Sequence, residues 1–218
     1  MLYNLLAPLS EECGVFNLFR YLTFRTGAAI LFSLALTLLI GPVMIRWLKK
    51  VQREGQPIRD DGPASHLVTK KGTPTMGGLM FLISAAITTL LWADLTNGFV
   101  WIVLLVTIGY GLVGFGDDFL KLTKRNTKGL PGRFKLICQG LIGLVAAYCA
   151  MRLTPEPLAT GLAVPFLKEV LIPLGWFFIP FAAFVMVGAS NAVNLTDGLD
   201  GLAIVPVMIA AEIGRAHV

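Results

Sequence analysis

Apolar runs long enough to cross a bilayer as helices alternate along the chain with short polar stretches. The pattern predicts transmembrane helices over residues 27–45, 76–93, 99–116, 136–151 and 170–189. A sixth apolar run starts near Leu202 and stops at Ala211, too short to cross. Gly41-Pro42 lies near the end of the first span, where a kink is expected. Residues 1–25 mix leucines and phenylalanines with Glu11, Glu12, Arg20 and Arg25, the pattern of a short helix lying at the interface. No basic start precedes an early apolar run, which argues against a cleavable signal peptide. Residues 94–98 read as a tight turn and 152–169 as a longer, Pro-rich connection. The ten-residue alternation of a membrane β-barrel is absent. The predicted fold class is an all-α polytopic membrane protein with five complete transmembrane helices and a truncated sixth.

Composition agrees. The sequence is 56% hydrophobic and 14% charged, whereas a soluble domain is nearer about 25% charged. Charge then sets orientation. Arg46, Lys49, Lys50, Arg53, Arg59, Lys70 and Lys71 fall in the stretch 46–71; Lys121, Lys124, Arg125, Lys128, Arg133 and Lys135 fall in 117–135. These are 13 of the 18 basic residues, in two loops of the same parity. The positive-inside rule puts both in the cytoplasm. The amino terminus and residues 94–98 and 152–169 then face outward, and the segment after the fifth span joins the basic loops. Short basic loops between spans suit a membrane surface or an anionic substrate rather than nucleic acid. Cys13, Cys138 and Cys149 have no metal-ligand spacing. Trp47, Trp92 and Trp101 sit at span ends as interface anchors.

Three inward segments carry candidate chemistry. Asn191, Asn194, Asp197 and Asp200 recur at steps of three, which on a helix makes one polar stripe. The plain alternative is a polar loop between two spans. Asp117-Asp118 closes the third span. Two adjacent carboxylates suit Mg²⁺ or proton transfer, and at a helix C-terminus they oppose the macrodipole, so bare helix-end charge is the weaker reading. Lys70-Lys71-Gly72-Thr73-Pro74-Thr75-Met76-Gly77-Gly78 opens the second span. Here Thr73 is expected to cap the helix, with Pro74 at its first position. Two lysines before exposed helix amides make an anion site, or else ordinary positive flanking. His66, in a turn-rich loop, is an acid or base by type but as a lone loop histidine reads as a plain residue, and the basic residues of 121–135 read as solvated charges. The turn around Asn126-Thr127-Lys128-Gly129-Leu130 is expected to point Lys128 at an anion. Carboxylates, amides and lysines together point to phosphate chemistry at the inner membrane surface.

These residues also resemble a known family. Lys71-Gly72-Thr73-Pro74-Thr75-Met76-Gly77-Gly78, Gly116-Asp117-Asp118 and the segment 191–202 are similar to the phospho-N-acetylmuramoyl-pentapeptide-transferases, within the polyprenyl-phosphate sugar-phosphate transferase superfamily. The likeness runs over residues 1–210. It implies transfer of phospho-MurNAc-pentapeptide from UDP-MurNAc-pentapeptide to undecaprenyl phosphate, giving lipid I and UMP, with Mg²⁺, in the bacterial inner membrane. It implies a ten-helix fold with both ends outside and the active site facing the cytoplasm. By motif, Asp117 and Asp118 match the catalytic acidic pair, Asp117 taking the proton of the lipid phosphate; a covalent aspartyl route is the older alternative. Asn194, with the two aspartates, matches a Mg²⁺ ligand. Asn191, Asp197 and Asp200 match positions near the nucleotide, and Lys70, Thr75 and Lys135 line its cleft. Homodimerisation is left open.

A later metal-binding aspartate and a histidine-rich loop of the family do not occur in these residues, so the 218-residue chain alone is expected to be inactive. Residues 1–211 read as one incomplete transferase domain. Residues 212–218 interrupt the sixth apolar run with Glu212 and Arg215 and read as a foreign tail. The competing readings are a sister transferase for another nucleotide-sugar phosphate, a transporter with a midplane site, and a noncatalytic scaffold. Acidic groups at span ends rather than mid-membrane argue against the transporter.

Overall fold

The structure is a computed structural model. It describes residues 1–52, 74–124, 129–164, 170–196 and 207–208. Two compact units divide the chain, Met1–Gln139 and Gly140–Val218.

In the first unit a five-residue helix α1 (Leu2–Leu6) leads through 3-10 turns at Pro8–Glu11 and Gly14–Arg20 into α2 (Leu22–Val51), then α3 (Gly78–Trp92), α4 (Gly98–Lys124) and the start of α5 (Gly132–Leu153). At 30 residues, α2 is about 45 Å long. It runs on through Pro42, six residues beyond the expected span end. α3 packs between α2 and α4. Small residues make this close: a Cβ on Gly41 would stand 3.3 Å from the Met80 sulfur, and one on Gly111 would meet the tip of Leu82 at 2.6 Å. Apolar lipid gives helices no hydrophobic reason to associate, so packing at small residues does that job. Ser84 and Thr88 lie buried on α3, and the Tyr110 hydroxyl of α4 donates to the Gln139 carbonyl of α5 at 3.2 Å.

The N-terminal segment folds over one end of this bundle. The Met1 ammonium donates to the Leu90 and Ala93 carbonyls, at the C-terminal end of α3, where unsatisfied carbonyls favour a cation. Phe19 stacks on Trp92 at 5.9 Å, and Asn4 donates to Asp94. Asp94 nucleates the tight turn by accepting from the Thr96 hydroxyl and amide. Those bonds, the hydroxyl's first, hold its carboxyl below the usual carboxylate range. Trp101 donates to the Leu95 carbonyl, as an interface anchor would.

The second unit holds the rest of α5, a two-stranded antiparallel ribbon and α6 (Phe178–Thr196). β1 (Gly161–Ala163) pairs with β2 (Leu171–Pro173), Leu162 opposite Ile172. The ribbon lies in the Pro-rich connection, where the hydropathy pattern predicts no strand. It also displaces the fifth span, which begins at Phe178 rather than 170 and reaches Thr196.

Four helical segments, Leu22–Val51, Gly98–Lys124, Gly132–Leu153 and Gly175–Leu195, are long and apolar enough to cross a membrane. α3 is apolar but has 15 residues, fewer than the expected second span. Large apolar side chains face outward, Leu39 74% and Phe184 75% exposed. That arrangement suits lipid and would be costly in water. The chain is an all-α polytopic membrane protein, with β1 and β2 its described strands. Of the truncated sixth run only Val207 and Met208 are among the described residues, and 209–218 lie outside them.

Candidate active site

The second basic stretch does not begin at Asp117. α4 continues to Lys124, so Asp117 and Asp118 sit two turns before its end. This corrects the expectation that they close the helix and removes most of the macrodipole objection, which applies only in the last turn. The continuation has a local cause. Lys121 lies four residues after Asp117 and three after Asp118, the spacings at which opposite charges meet on a helix. Its ammonium is 2.6 Å from Asp117 Oδ2 and 3.3 Å from Asp118 Oδ1. Lys121 is therefore a bridge between both carboxylates rather than a solvated charge.

Each aspartate has a second partner. The Leu130 amide donates to Asp117 Oδ1 at 2.7 Å. Gly129 makes that possible: its φ of +58° suits glycine, and a Cβ there would run into the Asp117 carboxylate. So the turn at 129–130 serves Asp117, while Lys128 and its expected anion lie outside the described residues. On the other side, the Thr75 hydroxyl donates to Asp118 Oδ2 at 3.2 Å. Lys135, on α5, is near enough for its charge to act on Asp117.

Thr75 is itself held. Its amide donates to Gln52 Oε1 at 2.9 Å, and Gln52 Nε2 donates back to the Thr75 carbonyl at 3.3 Å. Gln52 caps α2 and is buried. Met76, the next residue, has φ +70°, a conformation that costs about 1–3 kcal/mol in a non-glycine residue and clusters at functional sites. This kink starts α3 at Gly78, so Pro74 is not its first residue, and Gly77 stands at the N-cap. Thr73 as a cap, Lys70 and His66 lie outside the described residues.

The structure thus joins Thr75, Asp117, Asp118 and Lys121, with Lys135 nearby. Asn191 and Asn194 belong to the second unit, three residues apart on α6 as the stripe requires. Asn191 Nδ2 donates to the Val187 carbonyl at 2.8 Å, and Asn194 is exposed. Asp197 and Asp200 lie outside the described residues. Gln52 was missed, since nothing in the run Lys49-Lys50-Val51-Gln52 marks it as buried. Lys121 carried a signal in its spacing from the aspartates.

Chemically, two carboxylates hold one ammonium between them, and a hydroxyl donates to one of the two. Among the described residues no three His, Cys, Asp or Glu side chains cluster as metal ligands. The donor set is still one a hard cation accepts, because Mg²⁺ commonly uses one or two carboxylates and takes further oxygens from water and phosphate.

The chain is a polytopic helical membrane protein with paired carboxylates on one span, and residues 100–214 match the family model for glycosyl transferase family 4. The chain belongs to that family. Within it, residues 70–82 match phospho-N-acetylmuramoyl-pentapeptide-transferase signature 1. The chain is 65% identical over 213 residues to a protein of that name from Granulibacter bethesdensis, an alignment covering 98% of this chain and 59% of the relative. It therefore spans about three-fifths of the length of the curated relative it matches.

Proposed function

We propose that the chain is part of an enzyme that transfers phospho-MurNAc-pentapeptide from UDP-MurNAc-pentapeptide to undecaprenyl phosphate, in the bacterial inner membrane, with the site on the cytoplasmic side. The observation that carries the reading is the Thr75–Asp118 hydrogen bond, which ties the family signature to the acidic pair. In this reading Asp117 accepts the proton of the lipid phosphate. The freed oxygen attacks the β-phosphorus of the nucleotide; that P–O bond forms as the bond to the α-phosphate oxygen breaks and UMP leaves. Thr75 orients Asp118, and Lys121 and Lys135 offset phosphate charge. Asp117, Asp118 and Asn194 would hold Mg²⁺, which when bound neutralises charge on the diphosphate. Lys70, Asn191, Asp197 and Asp200 would contact the nucleotide substrate.

The test is a chimera joining residues 1–211 to the remaining C-terminal part of the Granulibacter bethesdensis relative. UMP release from UDP-MurNAc-pentapeptide and undecaprenyl phosphate is expected. Asp117→Asn should lower turnover by about 10²–10⁴-fold, the usual worth of a positioned acid or base. Turnover of UDP-GlcNAc in its place would indicate a sister transferase, and an unimpaired Asp117→Asn chimera would remove the assigned role.

A further inference from the structure

A cleft lies at the other end of α2 and α3, where Arg25 stands 27 residues before Gln52 in sequence. Its volume is about 520 Å³, and it is lined by Arg25, Thr88, Trp92 and Asp94 at its polar end and by Ile30 and Ala85 along its apolar side. Three of these residues bury a polar atom with no hydrogen-bond partner: Arg25 Nε, Thr88 Oγ1 and Trp92 Nε1. Thr88 is 94% buried, being 6% exposed. Buried donors are nearly always satisfied, so three on one cleft call for acceptor oxygens. Arg25 has the Tyr3 ring face 4.1 Å from its guanidinium carbon, and among the described residues no ion pair joins it to Asp94. Asp94 is lopsided: Asn4 and both Thr96 donors go to Oδ1, and none of the hydrogen bonds described reaches Oδ2.

A cation and an anion thus face one cleft close enough to feel each other's charge, and the Met1 ammonium acts on Asp94 too. Yet no direct ion pair among the described residues joins Arg25 to Asp94, above an apolar wall on a membrane-length helix. Trp92 and the turn after it mark the interfacial depth. We propose that this cleft binds a phospholipid whose headgroup carries a phosphate and a primary ammonium. The phosphate accepts from Arg25 and Trp92, the ammonium donates to Asp94 Oδ2, Thr88 meets an ester oxygen, and an acyl chain follows Ile30 and Ala85. A free phosphate would leave both the apolar wall and Asp94 unused. A choline headgroup has no N–H to give Asp94.

Native mass spectrometry of the purified 218-residue chain, titrated with phosphatidylethanolamine, phosphatidylcholine and phosphatidylglycerol, tests this. Phosphatidylethanolamine should bind best, about tenfold over phosphatidylcholine, the scale of a charge-assisted hydrogen bond. Arg25→Met should weaken it about tenfold, and Asp94→Asn should erase the preference over phosphatidylcholine. Should Arg25→Met fail to fold by circular dichroism, the near-isosteric Thr88→Val decides, with a loss of a few-fold expected. Equal binding of the three lipids, a preference for phosphatidylglycerol, or folded variants that bind phosphatidylethanolamine as the parent does would overturn the proposal.

Discussion

Gln52 engages the Thr75 backbone with both ends of its amide, and the Thr75 hydroxyl then meets Asp118. The glutamine therefore reaches the acidic pair through one intermediate and is a positioning residue. Gln52→Ala leaves a part-buried amide and carbonyl without partners, at a cost of about 1–3 kcal/mol. In the chimera described above it should lower kcat more than it raises KM for the nucleotide, because Asp118 loses orientation rather than charge. Gln52→Glu keeps the acceptor and loses the donor, so it should fall between. Steady-state kinetics on both variants, beside thermal unfolding in detergent, checks the order. Equal kcat in all three proteins would reduce Gln52 to a helix cap.

At the level of elements, Gly111 sets how near α4 comes to α3. Gly111→Ala should be almost neutral: helix propensity gains about 0.5–1 kcal/mol, and the clash is with the flexible tip of Leu82. Gly111→Phe has no such escape and should cost about 1–3 kcal/mol by overpacking, read as a lower unfolding midpoint in detergent. The helices themselves were legible because apolar runs of bilayer length admit few alternatives. Their ends were not. α4 outlasts its apolar run because Asp117 and Asp118 find Lys121 one turn on, and α3 starts late because Met76 takes a positive φ, which no hydropathy pattern encodes. The ribbon of β1 and β2 was hidden in a stretch whose prolines read as irregular. In the site, Asp117, Asp118 and Thr75 were legible as residue types, whereas Gln52 and the Leu130 amide enter through backbone geometry that carries no sequence signature.

For the whole molecule, the charge distribution makes a directional claim. The turn at 94–98 and the end of α4 at Lys124 should lie on opposite sides of the membrane, separated by a helix of about 40 Å. In a chain with its three cysteines replaced by serine, Thr96→Cys should react with an impermeant maleimide added to intact cells. Lys124→Cys should react only after lysis. Labelling of both from one side would refute the assigned orientation and the cytoplasmic site with it.

The clasp between Gln52 and Thr75 has a consequence for chain length. The two residues lie 23 apart in sequence and are hydrogen-bonded, so they act as a buckle on the chain between them. Closure entropy grows slowly with the length between two pinned ends, about 0.6 kcal/mol for each doubling. A short epitope spliced in beside Gly62 should leave the buckle fastened, whereas a deletion too short to bridge its two halves should spring it and loosen Asp118 from a distance.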